Sequence, residues 1–266
     1  MFVFGGLIDP LDICLPDLPS HLIGLRIAHL SDLHVTGRRR RHDRLLADVA
    51  RARPDVVLLT GDYITAKGDE PPAVELLHRF CDDIRPRHGI YGVFGNHDSP
   101  ELASAVAELP VTWLRNEAIR PDDLDVEILG LDALDFGLAW PDTVEVAAAC
   151  NGQGEPAGIR MMLCHYSTWL PMAADMGVDL MFSGHTHGGQ CRLPGRFALL
   201  NRSDLPLRLT SGLLRHKDTI CVVSRGLGEA RFPVRTFCPP HVPLMTLRRG
   251  PMPGRMTWRI DNVRPW

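Results

Sequence analysis

Apolar residues fall along this chain in short blocks. LRIAHL (25–30), DVVLLT (55–60), GIYGVF (89–94), DVEILG (125–130), GIRMMLC (158–164) and VDLMFS (178–183) each have the length of a buried strand, and several are rich in Val and Ile. Between some of them the rhythm is helical. PPAVELLHRFCDDIR (71–85) puts Val74, Leu77, Phe80 and Ile84 on one stripe, with prolines at its start and Pro86 beyond its end. HDRLLADVARAR (42–53) repeats the pattern with Leu45, Leu46 and Val49 and stops before Pro54. Apolar runs alternating with amphipathic segments predict an α/β layer fold.

The pattern changes after residue 190. TICVVSRGLG and VPLMTLRR read as further strands without a long helix between them, and FPVRTFCPPHVP is too rich in proline to be one. This stretch is expected to continue the same core in antiparallel fashion, as a second sheet. No Gly/Ser linker, repeat or low-complexity block interrupts the chain, so residues 1–266 are expected to form one domain, with PGRMTWRIDNVRPW a last strand or a flexible tail.

Composition narrows the field only a little. A formal net charge of −3, with 45% hydrophobic and 23% charged residues, is ordinary for a globular protein and gives no reason to expect nucleic acid as a partner. The seven cysteines (14, 81, 150, 164, 191, 221 and 238) include no C-x-x-C pair and are odd in number, which fits reduced thiols better than a disulfide framework. MFVFGGLIDPLDICLPDLP lacks the basic start of a signal peptide, and no run approaches the roughly 20 apolar residues of a membrane span. The expected location is cytoplasmic.

The polar residues are more telling. LRIAHL leads into Ser31-Asp32-Leu33-His34, DVVLLT into Gly61-Asp62, and GIYGVF into Gly95-Asn96-His97-Asp98. GIRMMLC leads into His165, and VDLMFS into Gly184-His185-Thr186-His187. In open α/β sheets, functional groups gather beyond the carboxyl ends of the strands. Taken singly, any of these residues reads as a helix cap or a turn residue, Asp98 before Pro100 and Asn96 among them. Five such coincidences at five strand ends call for a common cause.

A set of Asp, Asn and neutral His without thiolate suits Mn, Fe or Zn. It is too large for one tetrahedral ion, and two ions about 3.5–4 Å apart, bridged by a carboxylate, would use it fully. Such a pair faces few carboxylates and favours an anionic substrate, with phosphate the leading candidate. Water held between two divalent ions is acidic enough to yield hydroxide near neutral pH, so no Ser or Cys nucleophile is required.

In this order, SDLH, GD, GNHD, a lone His after a strand and GHTH resemble the calcineurin-like metallophosphoesterases, over roughly residues 22 to 248. GHTHGGQ and SRGLGEARFPVRTFCPP look most like the bacterial YkuE/YaeI-like branch of that family. The resemblance implies a four-layer α/β/β/α sandwich of two mixed sheets. It also implies two divalent metal ions, Mn foremost with Fe or Zn as alternatives. Asp32, His34 and His187 would hold one ion, Asp62 would bridge both, and Asn96, His165 and His185 would complete the other. His97 would stay off the metals and assist the leaving oxygen, and Asp98 would support it. The implied activity is hydrolysis of a phosphodiester or pyrophosphate bond, with a lipid-linked nucleotide such as UDP-diacylglucosamine among the candidate substrates. A metal-dependent scaffold with weak catalysis is the alternative, but every ligand position is filled. A protein Ser/Thr phosphatase lacks support, because an Asp of that group is missing here.

The chain departs from the pattern in three places. Relatives often read G-D-x-x-D, and here GDYIT ends in Thr65, so another group, with Asp98 the nearest, is expected to orient His97. HYST stands where Asn-Pro often follows the lone histidine, which places Tyr166 and Thr168 at the rim. Arg38 to Arg41 form a basic run directly after the first motif. A solvated loop is the plain reading of that run, and a contact with substrate phosphates or the inner membrane surface is the sharper one. Cys164 is expected to be a strand residue and Cys191 a buried or half-exposed thiol.

Overall fold

The computed structural model describes residues 7–37, 40–136, 158–194, 198–199, 206–230 and 232–252. Cys150, Arg38, Arg39 and the C-terminal stretch from 253 lie outside the described residues. One six-stranded sheet comprises β1 (Ile8–Leu15), β2 (Arg26–Leu30), β3 (Val56–Thr60), β4 (Ile90–Val93), β5 (Thr112–Trp113) and β12 (Val242–Arg249). Its strand order is β1-β12-β2-β3-β4-β5. The other comprises β6 (Glu117–Ile119), β7 (Val126–Leu131), β8 (Ile159–Cys164), β9 (Leu180–Ser183), β10 (Gly212–His216) and β11 (Thr219–Val223), in the order β10-β11-β9-β8-β7-β6. Both are mixed. β2, β3 and β4 run parallel, as do β7, β8, β9 and β11, whereas β12 is antiparallel to β2, β10 to β11 and β6 to β7.

Alternation along the strands builds four layers. Ala28, Leu30, Val57 and Leu59 face α1 (Arg40–Ala52), α2 (Glu70–Asp83) and α3 (Pro100–Ala105), meeting Leu45, Leu46, Val49, Leu77 and Phe80. Their neighbours Ile27, Val56 and Leu58 point the other way, into the layer between the sheets, against Ile128, Met161, Leu163, Phe182 and Val222. On the far face of the second sheet, Met162, Cys164, Met181 and Cys221 are covered by Trp169 and by Leu170 and Ala173 of α5 (Leu170–Asp175). A short α4 (Ala133–Phe136) follows β7. Each large apolar side chain buried in these layers contributes about 1.5–3 kcal/mol.

The C-terminal strands do not make a sheet of their own. The second sheet begins with β6; β10 and β11 extend it, and β12 returns to the first sheet beside β2. The reason is burial on both faces. All five residues of β11 are buried, so it can only lie inside a sheet, beside β9 and covered by β10. β12 likewise supplies Met245 and Leu247 to the inter-sheet layer and Val242 and Leu244 to the helix side.

β1, at the start of the chain, is a strand the hydrophobic pattern alone did not reveal. Leu11, Ile13 and Leu15 alternate inward, while Asp12 and Pro10 are exposed, and all eight residues pair in parallel with β12. β1 is the edge strand, where a proline is tolerated. Among the described residues, no helix is long and apolar enough to cross a membrane.

Candidate metal centre

Three neighbouring strands of the first sheet deliver their loops to one place. Asp32 and His34 follow β2, Asp62 follows β3, and the Gly95–Asp98 turn follows β4. From the second sheet, His165 follows β8 and His185 and His187 follow β9. The two sets meet across the sandwich, with His34 Nε2 3.0 Å from His187 Nε2. Asp32, His34, Asp62 and His187 have ligand atoms all within 4.8 Å of one another, and Asp62, His165 and His185 form a second such group. Asp62 belongs to both. Its Oδ2 lies 3.5 Å from His34 Nε2 and 3.2 Å from His165 Nε2. Asn96 stands on the same turn, between Gly95 and His97, and is exposed.

The backbone is bent hard to bring these side chains together. Asp32, His34, Asp62, His185 and His187 all have φ between +43° and +67°, the left-handed region that costs non-glycine residues energy. The neighbouring glycines are there for space. A Cβ on Gly184 would lie 1.9 Å from Ser31 Oγ and 2.3 Å from Asp32 Oδ2, and one on Gly95 would lie 2.2 Å from Asp62 Oδ1.

Hydrogen bonds to the far side of each ring decide what it offers. The Thr60 carbonyl can only accept, so His165 Nδ1 donates to it at 2.7 Å and Nε2 is the ring atom turned toward Asp62. His97 Nδ1 donates to the Thr65 carbonyl at 2.8 Å, and the backbone N–H of His97 donates to Asp62 Oδ1 at 2.9 Å. Asp98, expected to orient His97, does something else. Its carboxylate accepts the backbone N–H groups of Asp62, Tyr63 and Gly95 at 2.7–2.8 Å. It pins the Asp62 turn, and a backbone carbonyl replaces the missing carboxylate at His97.

The electrostatics of the cluster favour a cation. Burial lowers His34 to about 4 and pushes His187 well below the ordinary range, so both are neutral and able to ligate. Burial raises Asp32 to about 6, helped by the charge of Asp62. Burial works against charge at Asp62 and His165 as well, but their mutual attraction prevails. His165 is raised to about 9, and Asp62 is held far below the usual carboxylate range by His165 and His34. Asp32 Oδ2 is buried without a hydrogen bond. Two carboxylates and neutral imidazoles converging on one another, with a carboxylate oxygen unsatisfied, fit divalent ions.

Tyr166 is buried, its ring edge-on to His165 and His185 at 5.4 and 4.6 Å, so it backs these ligands; Thr168 is partly exposed. Cys164 is buried in β8 as expected, and Cys191 is half-exposed. Arg40 and Arg41 open α1 rather than lying in a loop, and Arg41 pairs with Glu229 at 2.5 Å.

A basic shell behind the GHTH loop went unread in the sequence. Arg235 Nη2 lies 3.4 Å from His187 Nδ1, buried Arg192 donates to the Gly188 carbonyl at 2.6 Å, and Arg225 and Cys238 pack against Gly188. The signal was the glycine spacing of RGLG. Gly226 and Gly228 sit where a Cβ would meet Asp32 Cβ at 2.6 Å and the Leu33 carbonyl at 2.2 Å.

A two-sheet sandwich with Asp and His converging at strand ends, sharing one carboxylate, defines a metallophosphoesterase. The chain belongs to the calcineurin-like phosphoesterases, whose family model matches residues 25–189. It is 28% identical over 228 residues to the uncharacterized metallophosphoesterase YkoQ of Bacillus subtilis, covering 82% of each chain. It is 26% identical to the UDP-2,3-diacylglucosamine pyrophosphatase LpxG of Chlamydia trachomatis, covering 87% of this chain and 86% of that one. The phosphodiesterase YaeI of Escherichia coli is also 26% identical, over 73% of this chain and 71% of its own.

Proposed function

We propose that this chain hydrolyses phosphodiester or pyrophosphate bonds with two divalent ions, manganese foremost, with iron or zinc as alternatives. The observation that carries the reading is the position of Asp62, whose carboxylate is shared between two donor groups. Asp32, His34 and His187 are assigned to one ion and His165, His185 and Asn96 to the other, with Asp62 between them. Bound there, the ions would supply Lewis acidity and an acidified water.

The chain's own residues do the rest. His97, its Nδ1–H fixed by the Thr65 carbonyl, can pass a proton to the leaving oxygen when Nε2 is protonated as well, ending as the neutral Nδ1–H ring. Asp98 holds the Asp62 turn in place. A lipid-linked nucleotide such as UDP-diacylglucosamine is the favoured substrate class, supported by the likeness to LpxG across most of both chains. A cytoplasmic protein meeting such a substrate would touch the inner membrane surface through the Arg38–Arg41 run, of which Arg40 is exposed and Arg41 is engaged with Glu229.

The test is reconstitution of metal-free protein with Mn, Fe or Zn. Elemental analysis should approach two ions per chain, and the loaded protein should cleave UDP-diacylglucosamine and simple phosphodiesters. Full activity at one ion per chain overturns the dinuclear reading.

A further inference from the structure

We infer that Thr65 is a positioning residue that serves both halves of this site with different atoms: its hydroxyl holds the metal ligand His34, and its backbone carbonyl holds His97. The inference rests on the reading of His34 as a ligand and His97 as the leaving-group residue. Thr65 Oγ1 lies 3.3 Å from His34 Nδ1, and the Thr65 carbonyl lies 2.8 Å from His97 Nδ1.

The roles follow from what each atom can do. A carbonyl has no proton, so His97 must donate through Nδ1, and its tautomer is set by the backbone alone. His34 Nε2 is the atom that faces Asp62 and His187. For Nε2 to offer its lone pair there, the proton must sit on Nδ1, and the Thr65 hydroxyl oxygen is placed to accept it.

The carrier is stiff. Thr65 ends a turn whose Tyr63 and Ile64 are buried and whose backbone N–H groups are bound by Asp98 and whose Tyr63 carbonyl accepts the Val35 N–H at 2.8 Å. The branch at Cβ further restricts where the hydroxyl can point. The two loops carrying His34 and His97 are thereby tied through one residue, and their rings lie edge to face at 5.0 Å. The side chain and the carbonyl can therefore be separated by mutation, because substitution removes the hydroxyl and leaves the carbonyl.

Thr65→Val keeps the shape and removes the hydroxyl, and Thr65→Ser restores it. Manganese binding to the metal-free full-length chain, followed by calorimetry, should show one of two ions bound about 10–100-fold more weakly in Thr65→Val. Thr65→Ser should return close to the wild-type affinity. The ratio of rates on activated and unactivated phosphodiesters should be the same in all three proteins, since His97 keeps its carbonyl. Unchanged manganese affinity in Thr65→Val overturns the role toward His34. A changed leaving-group ratio with intact affinity shows that the hydroxyl serves His97 and overturns the division of labour. A wild-type chain that fails to bind two ions overturns the metal reading itself, and the inference with it.

Discussion

The carboxylate of Asp98 accepts the backbone N–H of Asp62 at 2.8 Å, although its chain neighbour is His97. Its oxygens also take the N–H groups of Gly95 and Tyr63, so two strand-end turns are locked to one buried side chain. Burial, then the charge of Asp62, raises Asp98 to about 7, a cost the turn accepts to hold Asp62 at φ +57°.

Replacing Asp98 by Asn separates anchoring from catalysis. Both oxygens accept backbone donors, so an amide nitrogen in either position leaves buried N–H groups facing a donor. Asp98→Asn should lose roughly 1–3 kcal/mol of stability and bind metal more weakly through a displaced Asp62. Denaturant unfolding and metal analysis on the same preparation check this. Intact metal content with an altered leaving-group dependence would restore Asp98 to the role of His97 orienter.

Strain at the ligands makes a second prediction. His185 sits at φ +67°, where an alanine is penalised and a glycine is not. In the metal-free protein, His185→Gly should therefore be more stable than His185→Ala by about 1 kcal/mol, reversing the order seen in ordinary helices and strands. Both variants should bind ions poorly. Equal unfolding midpoints would show that the left-handed conformation is not retained without the ring.

How much of this was readable from the chain depends on the kind of information. β2, β3, β4, β8 and β9 are apolar blocks ending in polar residues, and both period and position survive in a one-dimensional pattern. β1 did not, because Asp9, Pro10 and Asp12 read as interruptions until the edge position explains them. Thr65 reads as the loss of a carboxylate, since a backbone carbonyl has no letter in the sequence. Arg192 and Arg225 were invisible for another reason: arginine is rarely buried, and a glycine- and proline-rich setting suggests a surface loop.

His97 is the third case. Its ring is held by a neutral carbonyl and lies beside the ligand His34 without joining either donor group. His97→Ala should keep the fold and both ions but lose about 10²–10⁴-fold in rate. The loss should shrink for a nitrophenyl diester, whose leaving group needs no proton. Metal content and kcat measured together decide it. Loss of an ion would make His97 a ligand, and equal losses on both substrates would remove its proton-transfer role.

The last prediction concerns stability against pH, through a histidine beneath the site. His29 is fully buried on β2, its Nε2 2.8 Å from Thr60 Oγ1 and its ring edge-on to Phe182. Burial, and then the charge of His241, lowers it from 6.5 to about 3. Below pH 6.5 the unfolded chain takes a proton at this ring that the folded chain refuses, so the contribution of His29 to folding stability falls as pH falls, until about pH 3. Each pH unit in that window costs about 1.4 kcal/mol through this one residue. His29→Leu loses the Thr60 hydrogen bond at every pH but also loses the titration. The stability difference between wild type and variant should therefore shift in favour of the variant by about 2 kcal/mol between pH 6.5 and pH 5. Groups common to both proteins, including Asp32, Asp98 and His241, cancel to first order in that difference. Unfolding curves at several pH values give the slope, and a flat difference would mean that His29 is protonated in the folded protein as readily as in the unfolded chain.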